Sequence, residues 1–558
     1  MIEQIKHLLK TTLAEKLVLD PALIIIETAK KADADLAIPL FGVAKAQKVN
    51  PQIVFEQFEA VLKHESSIDH VVFTAGFLNI YLKRQAFSKA VLTEINEKGA
   101  AYGSFEKNHK TVVIDYSSPN IAKSFSVGHL RSTMIGNALK NLYLKAGYEV
   151  VGINHLGDWG TQFGRMIVAY QKWGNPADIE KNPIEELQKL YIRFHEELEN
   201  DPSLDQQGKD AFLNLEQSDP EYLKLWQWFR DESLKEFMGM YELLGVGFDS
   251  YHGEAFYNDK MNAVVKALEE KSLLKEDQGA MVVALGDTMP PALIKRTDGA
   301  TLYITRDLAA LMYRFNTYHF DKILYVVGNE QKLHFEQLKK VSDLMGYQFD
   351  LEHVNFGLVL LDGKKMSTRG GNTKKLIDVI DDAIGLAKAA IVDKNPNLND
   401  KDYVAKAVGI GAIIFNDLKN ERHLDVDFNL ANMLKFEGQT GPYLQYSGVR
   451  IHSILKQTTY DAQNIELKLF EEDGYFDVVK LLDQFPDVVL RSIEKNMPSM
   501  MTRYIMSLSQ AFNSFYGKYK IMAEETKTKN TNLYLIDKVK TVLEEGLRVL
   551  GMQSLKEM

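Results

Sequence analysis

The stretch Tyr116–Gly136, YSSPNIAKSFSVGHLRSTMIG, constrains this chain more than any other. It follows Val112-Val113-Ile114, an apolar run of the kind that forms a buried strand. It leads into Val127–Tyr143, where apolar residues recur at helical spacing. A strand, a tight Ser-Ser-Pro-Asn turn and a helix opening on Gly128-His129 form an anion site of the α/β kind. Unpaired backbone N–H groups at the helix start face the anion, and the helix dipole adds partial positive charge. His129 and Arg131 sit in the same first turn and point to nucleotide chemistry.

The chain has 558 residues, enough for several domains. Its net charge of −10 argues against coating nucleic acid non-specifically, but leaves room for local basic faces. Cysteine is absent, which removes disulfides, thiolate zinc sites and a cysteine nucleophile, and fits a cytoplasmic protein. No apolar run approaches the roughly 18 to 20 residues needed to span a bilayer. The N-terminal MIEQIKHLLKTTLAEKL reads as an amphipathic helix rather than a secretory signal.

Three regions are predicted. Residues 1–106 form a small α+β unit, with helical patterns at Ile2–Leu17 and Pro51–Val61 and strands at His70–Phe73 and Phe77–Leu82. Residues 107–440 carry strand patterns at 111–115, 149–153, 323–327 and 354–361, alternating with helices as in a parallel sheet. Within them, about 170–245 reads as a helical insertion. Residues 441–558 read as a helical bundle, with helices at 443–456, 476–495, 502–515 and 533–550 and a polar loop at 524–532.

The phosphate-loop, zinc-helix and nucleophile-elbow motifs are all missing, and the histidines lack metal-ligand spacing. A second cluster, LDGKKMSTRGGN (361–372), gathers two lysines, two hydroxyls, an arginine and three glycines after an apolar strand. Alone it reads equally well as a solvated basic turn. Paired with Gly128-His129, it becomes a cationic arm for a nucleoside triphosphate, whose transfer chemistry needs positioning and charge stabilisation above all.

The two clusters resemble the HIGH and KMSKS signatures of class I aminoacyl-tRNA synthetases. SSPNIAK, NHLGDWGTQFG (154–164), YITRDL (303–308), FEGQTGPYLQYSGVR (436–450) and GLRVLGM (546–552) narrow the resemblance to the arginyl-tRNA synthetase family. It covers essentially the whole chain in family order. It implies a Rossmann-type parallel-sheet catalytic domain at 107–440, an additional tRNA-binding domain at 1–106 and a helical anticodon-binding domain at 441–558.

The resemblance also implies roles. Tyr303 and Asp307, four residues apart on one helix face, would receive the five-donor guanidinium of arginine, with Gln331 as a further contact. On the residues alone they read first as a packed tyrosine and a helix acid. Asp115 and Asn120 would hold the substrate's amino and carboxylate ends; alone, they read as a strand-end acid and a turn residue. For ATP the implied residues are Ser126, Gly128, His129, His334 and Met366. His129, Lys365, Ser367 and Arg369 would be catalytic, with Mg²⁺ bridging phosphate oxygens and no protein-bound zinc. The chain departs from the family pattern at two places. Ser126 stands where the first signature usually begins with His, and Thr368-Arg369 stand where the second usually has Lys-Ser. The first departure shifts the burden to His129 and the lysine loop; in the second, Arg369 can replace the lost cation.

For tRNA, Phe77 and Asn79 match residues that receive a D-loop base, by stacking and edge readout. The plain alternative is a strand with Phe77 inward. Around 497–522, Arg503, Lys518 and Lys520 alternate with Tyr504 and other aromatics, a composition suited to an unpaired anticodon loop. Phe512, Phe515 and Tyr516 read as core at helical spacing. The expected activity is ATP-dependent ligation of L-arginine to tRNA(Arg) by a monomer. The rival is a synthetase-derived tRNA-binding regulator that makes no adenylate.

Overall fold

The computed structural model describes residues 1–29, 34–123, 125–296, 303–361, 363–365 and 375–558. Met366, Ser367 and Arg369 lie outside them.

Four parallel strands form the central sheet, in the order Asp350–His353, Lys322–Tyr325, Thr111–Asp115, Glu149–Ile153. The first strand in sequence, Thr111–Asp115, is internal. The chain moves to one side of it to form Glu149–Ile153, then returns to form Lys322–Tyr325 on its other side. That reversal creates a switch point between Asp115 and Tyr325, which are paired in register. Ligands of such sheets bind beyond the carboxyl ends of the strands at this point. Strands buried on both faces need continuous apolar sequence, and Val112, Val113, Ile114, Ile323 and Leu324 are all fully buried.

The sequence-predicted strand 354–361 is two structures. The sheet strand ends at His353, and a separate strand, Val359–Leu361, pairs in parallel with Val426–Phe428 and antiparallel with Lys364–Lys365. Lys365 thus stands on a short hairpin beside the main sheet. A three-stranded antiparallel sheet at Leu274–Lys295 was not expected. The insertion is helical, as read, with helices from Thr161–Trp173 to Pro220–Leu244.

The N-terminal region is α+β: an antiparallel four-stranded sheet with helices on one face. The C-terminal region is helical. Its expected helix 476–495 is broken into Asp473–Asp483 and Phe485–Glu494, because Pro486 has no N–H to continue the ladder. The polar stretch 524–532 belongs mostly to helix Thr526–Val549, whose start Glu525 caps by accepting from Lys527 N. The two end regions are joined. Arg84 pairs with Asp35 (3.0 Å) and Asp473 (2.8 Å), Tyr102 Oη donates to Leu482 O (3.1 Å), and Lys538 Nζ donates to Asn96 Oδ1 (2.8 Å).

Candidate active site

A cleft of about 1270 Å³ opens at the switch point. Its walls are the turn after Thr111–Asp115, the start of helix Val127–Lys145, the loop 326–331, and Phe356–Val359 beside the Lys365 hairpin. Gln188, Tyr191 and Ile192 of the insertion close another side. Of the sequence-predicted residues, Asn120, Ser126, Gly128, His129 and Gln331 all line it. Lys123 and Lys375, not singled out by the sequence, line it as well.

The turn is strained. Ser117, Ser118 and Ala122 all have left-handed φ (72°, 48° and 60°), a conformation that costs non-glycine residues about 1–3 kcal/mol each. The turn is held against Gly157 of the NHLGDWG motif. Ile121 N donates to Gly157 O (3.1 Å), and a Cβ at 157 would collide with the Asn120 amide. A glycine is therefore required there, and it fixes Asn120 at the cleft wall.

At the helix start, Gly128 is exposed, and a Cβ built on it would meet only Ser126 Oγ, at 3.5 Å. The space before it belongs to the cleft. His129 is tied to Ser126: the Ser126 N–H donates to its Nδ1 (3.1 Å), and Ser126 Oγ is also 3.1 Å away. A ring nitrogen that accepts this N–H carries no proton, so the imidazole proton sits on Nε2. Burial, aided by the charge of Lys123, lowers the His129 pKa to about 4. His129 is therefore a neutral donor at physiological pH, with a tautomer set by the residue that replaces the family's first histidine.

The described residues that flank the lysine cluster are held in place. On one side, Gly363 N donates to Asp427 Oδ1 (2.8 Å), next to the strand Lys364–Lys365. On the other, Lys375 bridges to Ser126 and Leu376 N donates to Phe125 O (2.8 Å). Gly363–Lys365 thus sits by Asp427, and Lys375 sits by the residues that precede His129.

An acid–base cluster lies outside the cleft lining, with His334 three residues after the cleft-lining Gln331. Helix Tyr303–Tyr318 carries Tyr303, which is exposed, and Asp307 one turn later. Asp307 Oδ2 is 2.6 Å from His334 Nε2, and Oδ1 is 4.0 Å from His155. Burial works against the Asp307 charge, but the His334 hydrogen bond and charge prevail and lower its pKa. Glu254 pairs with Arg306 at 3.2 Å, and its burial raises its pKa to about 7. His155 lies in a quoted motif. Glu254 gave no sequence signal, because a lone acid after a glycine looks like any turn residue.

Three expectations need correcting. Asp115 is buried and already engaged, with Oδ2 paired to the buried Arg314 (2.8 Å) and Oδ1 accepting from Ser118 (2.9 Å). It is no open seat for an ammonium. Arg131 is no phosphate ligand. It is 1% exposed, bound to Asp417 and three backbone carbonyls, because two residues along a helix turn a side chain to a different face. Tyr504 is core: it is buried, stacks on Phe485 and donates to Leu481 O (2.8 Å).

On the same helix Arg503 is exposed but paired with Glu421 (3.0 Å), and Lys518 is exposed beside Tyr519. Tyr516, read as core, is 42% exposed. With Tyr446 (40%) it flanks Arg450, whose guanidinium lies 5.0 and 5.1 Å from the two rings. The available signal was Tyr446-x-x-x-Arg450 on one helix face. In the N-terminal sheet, Phe77 is half-buried, edge-on to the exposed Phe41. Asn79 is buried and donates weakly to Val72 O (3.4 Å).

Residues 91–430 match the family model of the class I tRNA synthetase (R) catalytic domain. Residues 444–558 match the DALR anticodon binding domain, and 3–82 the arginyl tRNA synthetase N-terminal domain. The chain is 49% identical to arginine–tRNA ligase 2 of Bacillus anthracis over 564 aligned residues, covering 100% of this chain and 99% of that one. It is 50% identical to arginine–tRNA ligase of Exiguobacterium sibiricum, covering 96% and 95%. The arginyl-tRNA synthetase structures of Thermus thermophilus (TM-score 0.85, 22% identity, 99% and 100% coverage) and Plasmodium falciparum (0.83, 23%, 100% and 99%) share its fold. The chain belongs to the class I arginyl-tRNA synthetase family.

Proposed function

We infer that the protein attaches L-arginine to tRNA(Arg) at the expense of ATP, as an arginine–tRNA ligase. The observation that carries this reading is the identity of about half, over essentially full length, to ligases of that name. The cleft offers a helix start with an open glycine, a neutral N–H donor and the side chains of Lys123 and Lys375, and Asp307, held by His334, offers a carboxylate suited to a guanidinium. The arginine carboxylate attacks the α-phosphate in line, giving arginyl-adenylate and pyrophosphate. The 2′-hydroxyl of the tRNA's terminal ribose then attacks the activated carbonyl and AMP leaves.

In this scheme ATP lies along the start of helix Val127–Lys145. Its purine lies against Gly128, its phosphates face His129 Nε2–H, and Lys123, Lys375 and the lysine cluster surround them. Lys365, Ser367 and Arg369 act on the departing pyrophosphate, and Met366 is assigned to ATP binding. Tyr303, Asp307 and Gln331 hold the guanidinium, and Asn120 the carboxylate end. His334 serves the Asp307 carboxylate as well as the adenosine side. Mg²⁺ arrives on the nucleotide: among the described residues no group of three or more histidine, cysteine or acidic side chains could hold a metal, and Glu330 is the one acid on the cleft wall. A phosphate-borne ion fits such a site, because its other ligands are phosphate oxygens and water.

The RNA would reach both ends of the molecule. Phe77 and the sheet face around it meet the D-loop. The Tyr446–Arg450–Tyr516 stack, with Arg503 and Lys518, meets the anticodon loop. No helix among the described residues is long and apolar enough to cross a membrane. We place the enzyme in the cytoplasm, working as a monomer. The non-catalytic alternative is not favoured, since the relatives that span the whole chain carry ligase names.

Arginine, ATP and bulk tRNA should together give acid-stable arginyl-tRNA, and lysine or citrulline should not replace arginine. Arginine-dependent pyrophosphate exchange should need tRNA. Binding of tRNA with no charging under any condition would establish the regulator instead.

A further inference from the structure

Arg131 is one of the two largest fully buried side chains with a charge; it borders the cleft, but its donors are engaged elsewhere. Its Nε donates to Asp417 Oδ1 at 2.8 Å. Its Nη1 donates to the carbonyls of Gly357 and Leu424, both at 2.8 Å, and Nη2 to that of Arg422 at 3.2 Å. Burying a guanidinium is costly unless every donor is met, so a site that meets them this fully has a geometric purpose.

The carbonyls identify that purpose. Gly357 lies two residues before strand Val359–Leu361, and Leu424 two residues before its parallel partner Val426–Phe428. These are the roots of the strand that leads into the Lys365 hairpin and of the parallel strand beside it. The roots also touch each other: Gly357 N donates to Arg422 O (2.9 Å), and a Cβ at 357 would strike the Leu424 carbonyl at 2.6 Å. Arg131 itself stands three residues after Gly128 and two after His129 on the same helix. One side chain therefore ties the helix that carries His129 to the root of the hairpin that carries Lys365 and to the root of the parallel strand beside it. Asp417, on helix Lys401–Leu418, fixes the fork from behind.

We propose that Arg131, oriented by Asp417, is a positioning residue for adenylate formation: it sets the distance between the two halves of the ATP site. The inference rests on the ATP reading given above. Lysine has one point of attachment where arginine has a planar fork, so Arg131→Lys keeps the charge and loses the alignment. A displacement of about 1 Å between catalytic groups can cost about 10²-fold in rate.

The test is tRNA-supported, arginine-dependent pyrophosphate exchange by the full chain, normalised to active sites, for Arg131→Lys, Lys365→Ala and the double variant. Arg131→Lys should lower kcat or raise the ATP KM by about 10- to 100-fold in total, with the arginine KM within about threefold of wild type. Because it acts through the hairpin, Arg131→Lys should add almost nothing in the Lys365→Ala background. Multiplicative losses in the double variant would overturn the proposal. So would an effect falling equally on arginine, or a loss that active-site titration ascribes wholly to unfolded protein. Should Arg131→Lys fail to fold, Asp417→Asn retains an acceptor for Nε, and the same non-additivity must hold there. Absence of exchange in the wild type would defeat the ATP reading itself and is distinguishable from these results.

Discussion

His129→Ala should lower the rate of arginyl-adenylate formation by about 10²- to 10³-fold, the scale of one preorganised transition-state donor. The reasoning combines position and protonation. The ring stands in the first turn of the cleft helix, Nδ1 accepts the Ser126 N–H, and Nε2 is left as the donor. With its pKa lowered to about 4, the ring donates as a neutral group. His129→Gln, which keeps a neutral N–H, should therefore retain more activity than His129→Ala. The pH–rate profile of the wild type should show no limb near 6.5 that His129→Gln removes. The sign for stability follows from the same shift. An unfolded histidine takes up its proton near pH 6.5, and the folded one resists until about pH 4. Relative to His129→Gln, the wild type should be constant above pH 6.5 and should lose stability as pH falls from 6.5 to 4. The comparison must be made as a difference, because Glu254, with its pKa raised to about 7, pulls the other way over about pH 4.5–7. Single-turnover rates close to wild type for His129→Ala would show that the triphosphate lies elsewhere.

Asp307→Asn should raise the arginine KM by about 10²-fold while leaving the ATP KM within a few-fold, since losing the charge of a buried ion-pair partner costs about 2–5 kcal/mol. Asparagine is the informative choice. It keeps an oxygen that can accept from His334, 2.6 Å from the native carboxylate, so the histidine rings have no reason to collapse into the site. Only the match to a cationic guanidinium is lost. Citrulline, which lacks that charge, should suffer least from the change. Equal losses for arginine and ATP, read by substrate titrations in the exchange assay, would refute the assignment of this carboxylate to the guanidinium.

Helices and the main sheet were legible where period and length agreed. Val112–Ile114 read as a strand because buried parallel strands are uniformly apolar, and Ile2–Leu17 read as a helix because its apolar residues repeat with its turns. The errors have equally local causes. The run 354–361 is mostly apolar, interrupted only by Asn355 and Gly357, and that interruption alone does not reveal that the chain leaves one sheet and joins another. The strands at 274–295 are only four residues long, and the first, Leu274–Asp277, is almost wholly polar. The polar stretch at 524–532 looked like a loop, although Asn530, Thr531 and Asn532 are buried in the helix it opens.

Site residues were legible as types in order, but not as orientations. His129 and Arg131 are two letters apart and both border the cleft, but Arg131 is 1% exposed and spends its donors on Asp417 and backbone carbonyls. Tyr504 and Tyr516 share one helix, and only the position of neighbouring helices decides that the first is covered and the second bare. Asp115 ends its strand as expected. Its occupation by Arg314, two hundred residues later, is a tertiary fact with no local signature.

The joints between the N-terminal and helical regions carry a consequence of their own. Arg84 clamps Asp35 to Asp473, and Lys538 reaches Asn96, so the faces bearing Phe77 and the Tyr446–Arg450–Tyr516 stack are not strung on a tether. On the proposed tRNA reading they would act as the fixed jaws of one gauge. An RNA held at both is measured for span as well as sequence. Lengthening the stem between its two loops by a few base pairs should free one jaw and reduce charging even with every contacted base intact; unchanged charging of such an RNA would mean that the jaws give way.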